Sequence, residues 1–299
     1  RGDSKGQGVG RQEAFNVRAL SRRAGGRERS RGMCLQAMMR ELRAYGCAGV
    51  ARDIDFKICQ PFIFSQLPSL LTWADGRPPP LLPEILALCA QGGQGRDELF
   101  KLLSPWHQLN TVQWDSSRKD MLKKLVTSLF FGGSYRAWIE ETLLPPQEAA
   151  NGEVLPPSRD PRSEPRHLRV QRLEREMATL RRAVFESEQW KPFVAEWRKL
   201  LQREKGGDAA AIDRSIMSRI AQELEDRCLR AVVSQLEEDG WQVLALVYDG
   251  CIVRERTGCT IDLTRLQNRV LEETKLRMVL EEKELFSAAP RLVLARGVD

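Results

Sequence analysis

The sequence predicts an α+β fold, helix-rich overall, and three observations carry that expectation. Apolar and polar residues alternate with the two-residue period of a strand over 50–56. Far down the chain, two β-rich runs flank Asp249-Gly250, a dipeptide favoured in hairpin turns. Between these regions lies a block whose apolar residues recur every three or four positions, the period of a helix. No internal repeat is present.

Taken in order, residues 1–32 are rich in Gly, Ser and Arg and carry nine basic and three acidic side chains, which is the whole net charge of +6. Such a composition buries too little apolar surface to order itself. A nucleic-acid-binding arm, a solvated tail and a mistranslated leader all fit it. Residues 33–45 read as a short helix with Leu35, Met38, Met39 and Leu42 on one side, broken by Gly46 to Gly49. A strand over 50–56 runs into a helix starting at Cys59, with Pro61 in its first turn. Two short helices, 82–89 and 96–103, are separated by Gly92-Gly93. A longer helix over 118–130 stops at Gly132-Gly133.

The proline-rich stretch 145–167 reads as a linker. Helix follows over 168–204, interrupted at Pro192. Asp208 is suited to cap a helix over 209–238, whose apolar face includes Ile212, Ile216, Ile220, Leu224 and Cys228. The hairpin over 241–254, with a type I′ tip at Tyr248-Asp249-Gly250, precedes a helix over 263–274 and a last strand over 276–280. The expected organisation is therefore a basic tail (1–32), a first mixed segment (33–144), a linker (145–167), a helical block (168–239) and a second strand-bearing segment (240–299).

Composition narrows the function classes. With 299 residues and 42% apolar side chains, the chain can build one large core or two small ones. No run reaches the ~20 apolar residues of a membrane span, so no membrane partner is expected. No signal-peptide pattern opens the chain, and its first residue, Arg1, suggests a piece of a longer protein. Seven cysteines without a C-x-x-C pair point to a reducing intracellular compartment, nuclear or cytoplasmic, rather than a disulfide framework. Two histidines leave little room for His-based acid–base chemistry or a zinc site, so catalysis should rest on carboxylates, lysines and metal.

Three constellations fit such chemistry. Asp53 and Asp55 share one face of a strand that runs directly into a helix, where a carboxylate can hold a divalent cation. Lys119, Lys123, Thr127 and Phe131 recur every four residues, so two lysines, a hydroxyl and an aromatic ring line one stripe suited to a triphosphate. Asp249 sits at a hairpin tip between apolar runs, a rigid platform for a metal-binding carboxylate. Each motif alone has an ordinary structural explanation: a solvated strand end, an amphipathic helix, a preferred turn.

In combination and in this order they resemble the palm and fingers of family A DNA polymerases, the DNA polymerase I-like group. The likeness is to a divergent branch found in mobile elements, large viruses and protists. The family's first motif, approximately Asp-x-Asp-x-x-Asn-x-x-Pro, corresponds to Asp53-Ile-Asp55 through Pro61. Its Lys-rich helix ending in aromatic-Gly-Gly corresponds to Lys119 through Gly133. Its hydrophobic strand leading to Asp-Gly corresponds to Val247 through Gly250. The helix containing Ser215 to Glu225 stands where the family carries a similar Gln/Glu-containing helix, and the resemblance spans about residues 35–285.

The resemblance implies a polymerase palm, a small antiparallel sheet with an Asp-Gly hairpin, joined to helical fingers. It implies that Asp55 and Asp249 hold two Mg²⁺ ions, with the main-chain carbonyl of Phe56 completing one shell. Lys119 matches a family residue that contacts the triphosphate. Lys123 matches the lysine that binds the triphosphate and protonates pyrophosphate, while Phe131-Gly132 matches the helix end near the templating base pair. Thr127 stands where the family has an aromatic that stacks on the incoming base, Gln60 where it has Glu, and Gly250 where Glu follows the hairpin Asp. The implied partners are primer-template nucleic acid and deoxynucleoside triphosphates, and the implied activity is template-directed nucleotidyl transfer. A decayed, non-catalytic relic of the same fold, binding nucleic acid or another protein, is the alternative.

Overall fold

The computed structural model describes residues 49–106, 116–139, 147–148, 154–155, 167–205 and 208–283. Their elements run β1 (Ala51–Phe56), α1 (Cys59–Gln66), a 3₁₀ turn (Leu67–Leu70), α2 (Pro83–Trp106), α3 (Ser116–Phe130), α4 (Tyr135–Trp138), β2 (Gln147–Glu148), β3 (Val154–Leu155), α5 (Leu168–Glu186), α6 (Lys191–Lys205), α7 (Ala209–Glu238), β4 (Val243–Val247), β5 (Gly250–Arg254), α8 (Leu263–Thr274) and β6 (Leu280–Lys283). The fold is α+β: helices dominate, and the main sheet has four antiparallel strands in the order β4-β5-β1-β6. The helix expected over 33–45 and the basic tail lie outside the described residues. No described helix is long and apolar enough to cross a membrane.

The chain divides into two compact units. One is formed by Gln60–Ala221, and the other joins the stretch ending at Cys59 to everything from Gln222 onward. The cut thus falls inside α7, and β1 belongs with the C-terminal strands.

In the sheet unit, β1 is interior because both its edges are paired, with β5 and with β6, and its two faces differ. Ile54 and Phe56 are 1% and 2% exposed, together with Cys251 and Val253 on β5. Ala51, Val247 and Ile252 form a smaller apolar cluster, with Leu244 and Ala245 packed against it. Arg52 ties the far end of β1 to the strand exit: its guanidinium donates to both Glu255 oxygens at 2.7 and 2.6 Å and to the Cys259 carbonyl at 3.0 Å. It also pairs with Glu282 at 3.6 Å and faces the Trp241 ring, 5.7 Å from centroid to guanidinium carbon. Helix α8 matches the sequence expectation residue for residue. Asp262 caps it by accepting from the Arg265 N–H at 3.0 Å, and Lys275, at φ 64°, ends it.

Two local expectations for this unit need correction. The central residues of the hairpin turn are Tyr248 and Asp249, and Gly250 is the first residue of β5. Only Tyr248, at φ 55°, has positive φ, so the turn lacks the paired positive φ of type I′. The last strand is Leu280–Lys283 rather than 276–280. Its pairing begins where β1 offers a partner, with Phe56 opposite Leu280. Leu276 and Met278 are buried instead as the chain leaves α8.

In the helical unit, Phe64 of α1 stacks on Phe130 with ring centroids 5.3 Å apart. Helix α2 combines the two short helices expected at 82–89 and 96–103: Ala90 to Gly93 leave helical geometry, with Gln91, Gly92 and Gly93 all at positive φ. Glu176 of α5 caps its start, accepting from the Glu84 and Ile85 N–H groups at 2.9 Å each. Burial nevertheless raises the Glu176 pKa. Helix α3 buries Leu122, Leu125, Val126, Leu129 and Phe130. It ends in a Schellman motif, with the Gly133 N–H donating to the Ser128 carbonyl at 2.8 Å and the Gly132 N–H to Leu129 at 3.0 Å. Gly132, at φ 78°, supplies the left-handed residue this ending requires.

The break expected near Pro192 falls between α5 and α6, with Pro192 in the first turn of α6. Asp208 begins α7 as expected, accepting from the Ala211 N–H at 3.0 Å. The stretch read as a linker contains a two-residue ribbon, Gln147–Glu148 paired with Val154–Leu155. No proline occurs from 147 to 155, so the backbone there retains the donors that pairing needs.

Candidate active site

The site is built by strand register. Strand β1 pairs antiparallel with β5 on one side, setting Asp53 opposite Ile252 and Asp55 opposite Gly250. On its other side it pairs with β6, setting Asp53 opposite Lys283, Asp55 opposite Glu281 and Phe56 opposite Leu280. Directly opposed residues share a face, as do residues two apart in one strand. Asp53, Asp55, Glu281 and Lys283 therefore stand on one face, with Gly250 beside Asp55 and the turn residue Asp249 one step away. The other face of β1 carries Ile54 and Phe56 into the core.

Gly250 permits this close approach. A Cβ there would enter the van der Waals shell of the Ile54 carbonyl oxygen and lie 2.9 Å from Asp55 Oδ1 and 3.1 Å from Asp55 Cα. A hairpin strand with any larger residue at this position could not lie so tightly against β1. The Asp55 carboxylate is thus seated over a glycine of the hairpin, next to Asp249.

The two Asp55 oxygens have different environments. Oδ2 accepts a hydrogen bond from the Lys283 ammonium. Oδ1 is buried and has no hydrogen-bond partner among the described residues. Lys283 also approaches Glu281 at 3.8 Å, and Glu281 is paired at 3.5 Å with Lys57. Burial lowers the Lys283 pKa, but the hydrogen bond it donates to Asp55 and the charges of Asp55, Glu281 and Asp249 outweigh it, so the net shift is upward. One ammonium thus experiences both predicted site carboxylates. The Cys59 thiol does as well: burial first, then Glu225, Asp249, Cys228 and Asp55, push its pKa well above the ordinary thiol value.

The second set of predicted residues lies in the helical unit. Lys123 and Thr127 are exposed on α3, whereas Leu122 and Val126 beside them are buried. Lys119 belongs to the same helix, but its side chain is outside the described residues. The Phe131 ring lies edge-on to Phe64 at 6.0 Å. Gly132 closes the helix end, where an added Cβ would run into the Arg181 guanidinium and lie 3.2 Å from Arg214 Cγ.

Lys283 and Glu281 are the site residues that sequence reasoning missed. Their signal was the two-residue spacing in Leu280-Glu-Glu-Lys283, which ending the strand at 280 discarded.

Two hard carboxylate donors and one buried, unsatisfied oxygen suit a small divalent cation such as Mg²⁺. The Lys283 ammonium on the other oxygen opposes it. Among the described residues, no group of three or more His, Cys, Asp or Glu side chains forms a ready cation cluster. No protein-family model matches the chain, and the search of curated proteins found no match either.

Proposed function

We propose that this chain is a template-directed nucleotidyltransferase, in the first instance a DNA polymerase, whose palm is the β4-β5-β1-β6 sheet. The observation that carries the reading is the register of β1 against the hairpin. It sets Asp55 against Gly250, beside Asp249, across nearly two hundred intervening residues. The resemblance, in which Asp55 and Asp249 share the metal ions, requires the two segments to meet, and an unrelated helical scaffold has no need of it.

In this reading Asp55 and Asp249, with the Phe56 carbonyl, hold two Mg²⁺ ions. Bound there, metal ions would supply Lewis-acid activation of a primer 3′-hydroxyl and charge neutralisation for the triphosphate. The chain's own contribution is rigid placement. Strand β1 is locked between two neighbours, and Gly250 removes the bulk that would hold the hairpin away from Asp55. Lys119 and Lys123 are the residues this reading assigns to the triphosphate, Lys123 to the charge that grows on the leaving pyrophosphate. Thr127 offers a hydroxyl in place of a stacking ring, and Phe131-Gly132 lies by the templating pair. Primer-template nucleic acid and deoxynucleoside triphosphates are the partners.

One observation favours the second reading, a catalytically decayed palm that binds nucleic acid or protein. A positive side chain, Lys283, already neutralises Asp55. Primer extension with Mg²⁺ on DNA and RNA templates separates the two. The first reading expects template-directed incorporation on DNA that disappears in Asp249→Asn. Incorporation by the parent no greater than by that variant would leave the second.

A further inference from the structure

The most informative group that the proposed chemistry does not use is Lys283. It is the last residue of β6, at an edge of the sheet, and its side chain is 40% exposed while that of Asp55 is 16% exposed. A carboxylate so far removed from water needs a compensating charge, and Lys283 supplies it to Oδ2. The second oxygen, Oδ1, is left without a hydrogen bond. The pair is therefore neutralised in charge but incompletely satisfied in hydrogen bonding.

Lys283 is also easily withdrawn. Its long, flexible stem begins at a strand end and can carry the ammonium into water. Its other neighbour, Glu281, would keep a cationic partner in Lys57, 3.5 Å away. Asp55 would lose its hydrogen-bonded counter-charge and Asp249 a nearby one, and a divalent cation can replace that charge.

We propose that the Lys283 ammonium is a built-in occupant of the cation position at Asp55 and Asp249, which a divalent metal ion must displace in order to bind. This rests on the two-metal reading and adds a regulatory element to it. Ammonium and metal ion compete for the same carboxylate and repel each other at contact distance, so the two states exclude one another. Metal binding is then weak until the side chain swings out. The resting site neither traps cations nor leaves a desolvated carboxylate bare.

Competition of this kind is measured by direct metal binding, without catalysis. Mn²⁺ is titrated into the full chain and free Mn²⁺ is followed by electron paramagnetic resonance. The variants are Lys283→Met, which keeps length and removes charge, and Lys283→Arg, which keeps charge. Asp249→Asn alone and the double variant Lys283→Met/Asp249→Asn complete the set. Lys283→Met should bind Mn²⁺ about tenfold to a hundredfold more tightly than the parent, the usual range for coupled sites. Lys283→Arg should stay close to the parent, and Asp249→Asn should abolish the gain. Circular dichroism confirms folding, and Lys283→Gln replaces Lys283→Met if that variant does not fold. Equal, Asp249-dependent affinity in parent and Lys283→Met would overturn this inference and leave the two-metal reading standing. Absence of Asp249-dependent Mn²⁺ binding in every variant would overturn both.

Discussion

Replacing Gly250 by Ala probes the contact on which the site depends. The added methyl would press on the Ile54 carbonyl oxygen, with Asp55 Oδ1 at 2.9 Å and Asp55 Cα at 3.1 Å. Two of these three neighbours are backbone atoms of β1. That strand cannot retreat without breaking its ladder to β6 on the other side. Overpacking a tight site costs ~1–3 kcal/mol, and because backbone rather than a flexible side chain must yield, the upper end, about 3 kcal/mol, is expected. Gly258→Ala is the internal control. Gly258 has φ 76° but nothing within 4 Å of an added Cβ. It should cost only backbone strain, about 1 kcal/mol.

Two units need not unfold together, so amide hydrogen exchange followed by mass spectrometry is the appropriate readout. For Gly250→Ala, exchange in peptides spanning β1 and β5 should accelerate by roughly a hundredfold, the equivalent of about 3 kcal/mol. Peptides from α3 and α5 should be unaffected. Exchange in β1 indistinguishable from the parent, or equal to that of Gly258→Ala, would show that the hairpin does not lie against Asp55 as described.

Two further predictions concern other parts of the chain. Lys123→Ala should reduce nucleotide incorporation by about 10²- to 10³-fold at saturating template, the scale for losing a transition-state charge partner. Lys124→Ala, about 100° around the helix, should have far less effect, and equal damage from both would show that the four-residue stripe is misassigned. Burial pushes the Cys228 and Cys251 thiols up to about 12, from an ordinary value of 9.0. At pH 8 they should therefore resist iodoacetamide in the folded chain and react once it is denatured, as read by peptide mass spectrometry. Because the folded state prefers the neutral thiol, their contribution to stability is complete below pH 9 and is lost as pH rises towards 12. Rapid labelling of either in the native chain at pH 8 would contradict their burial.

Much of the fold was legible because local rules and tertiary needs agreed. The alternation through Asp53, Ile54, Asp55 and Phe56 reads as a strand with one polar and one buried face, and β1 is that strand. Asp208 and the Gly132-Gly133 pair mark helix ends by their own chemistry, so α7 and α3 begin and stop where expected. Elsewhere a distant partner decides the local structure. Asp249-Gly250 looks like the centre of a turn, yet Gly250 is needed in the strand, where Ile54 and Asp55 leave no room for a side chain. Leu276 and Met278 alternate like a strand, but the ladder starts at Leu280 because that is where β1 has an open edge. Lys283 lies 228 residues from Asp55, and no spacing rule connects an acid to a base across that distance.

The central claim is that Asp55 and Asp249 act as one metal-dependent unit. Single-turnover nucleotide incorporation by the parent, Asp55→Asn, Asp249→Asn and the double variant, at fixed Mg²⁺ and saturating primer-template, tests it most directly. Groups that act as a unit are strongly non-additive. Each single variant should lose about 10³-fold or more in rate, with the double variant no slower than the worse single. Losses that multiply in the double variant, or a single variant as fast as the parent, would contradict the account.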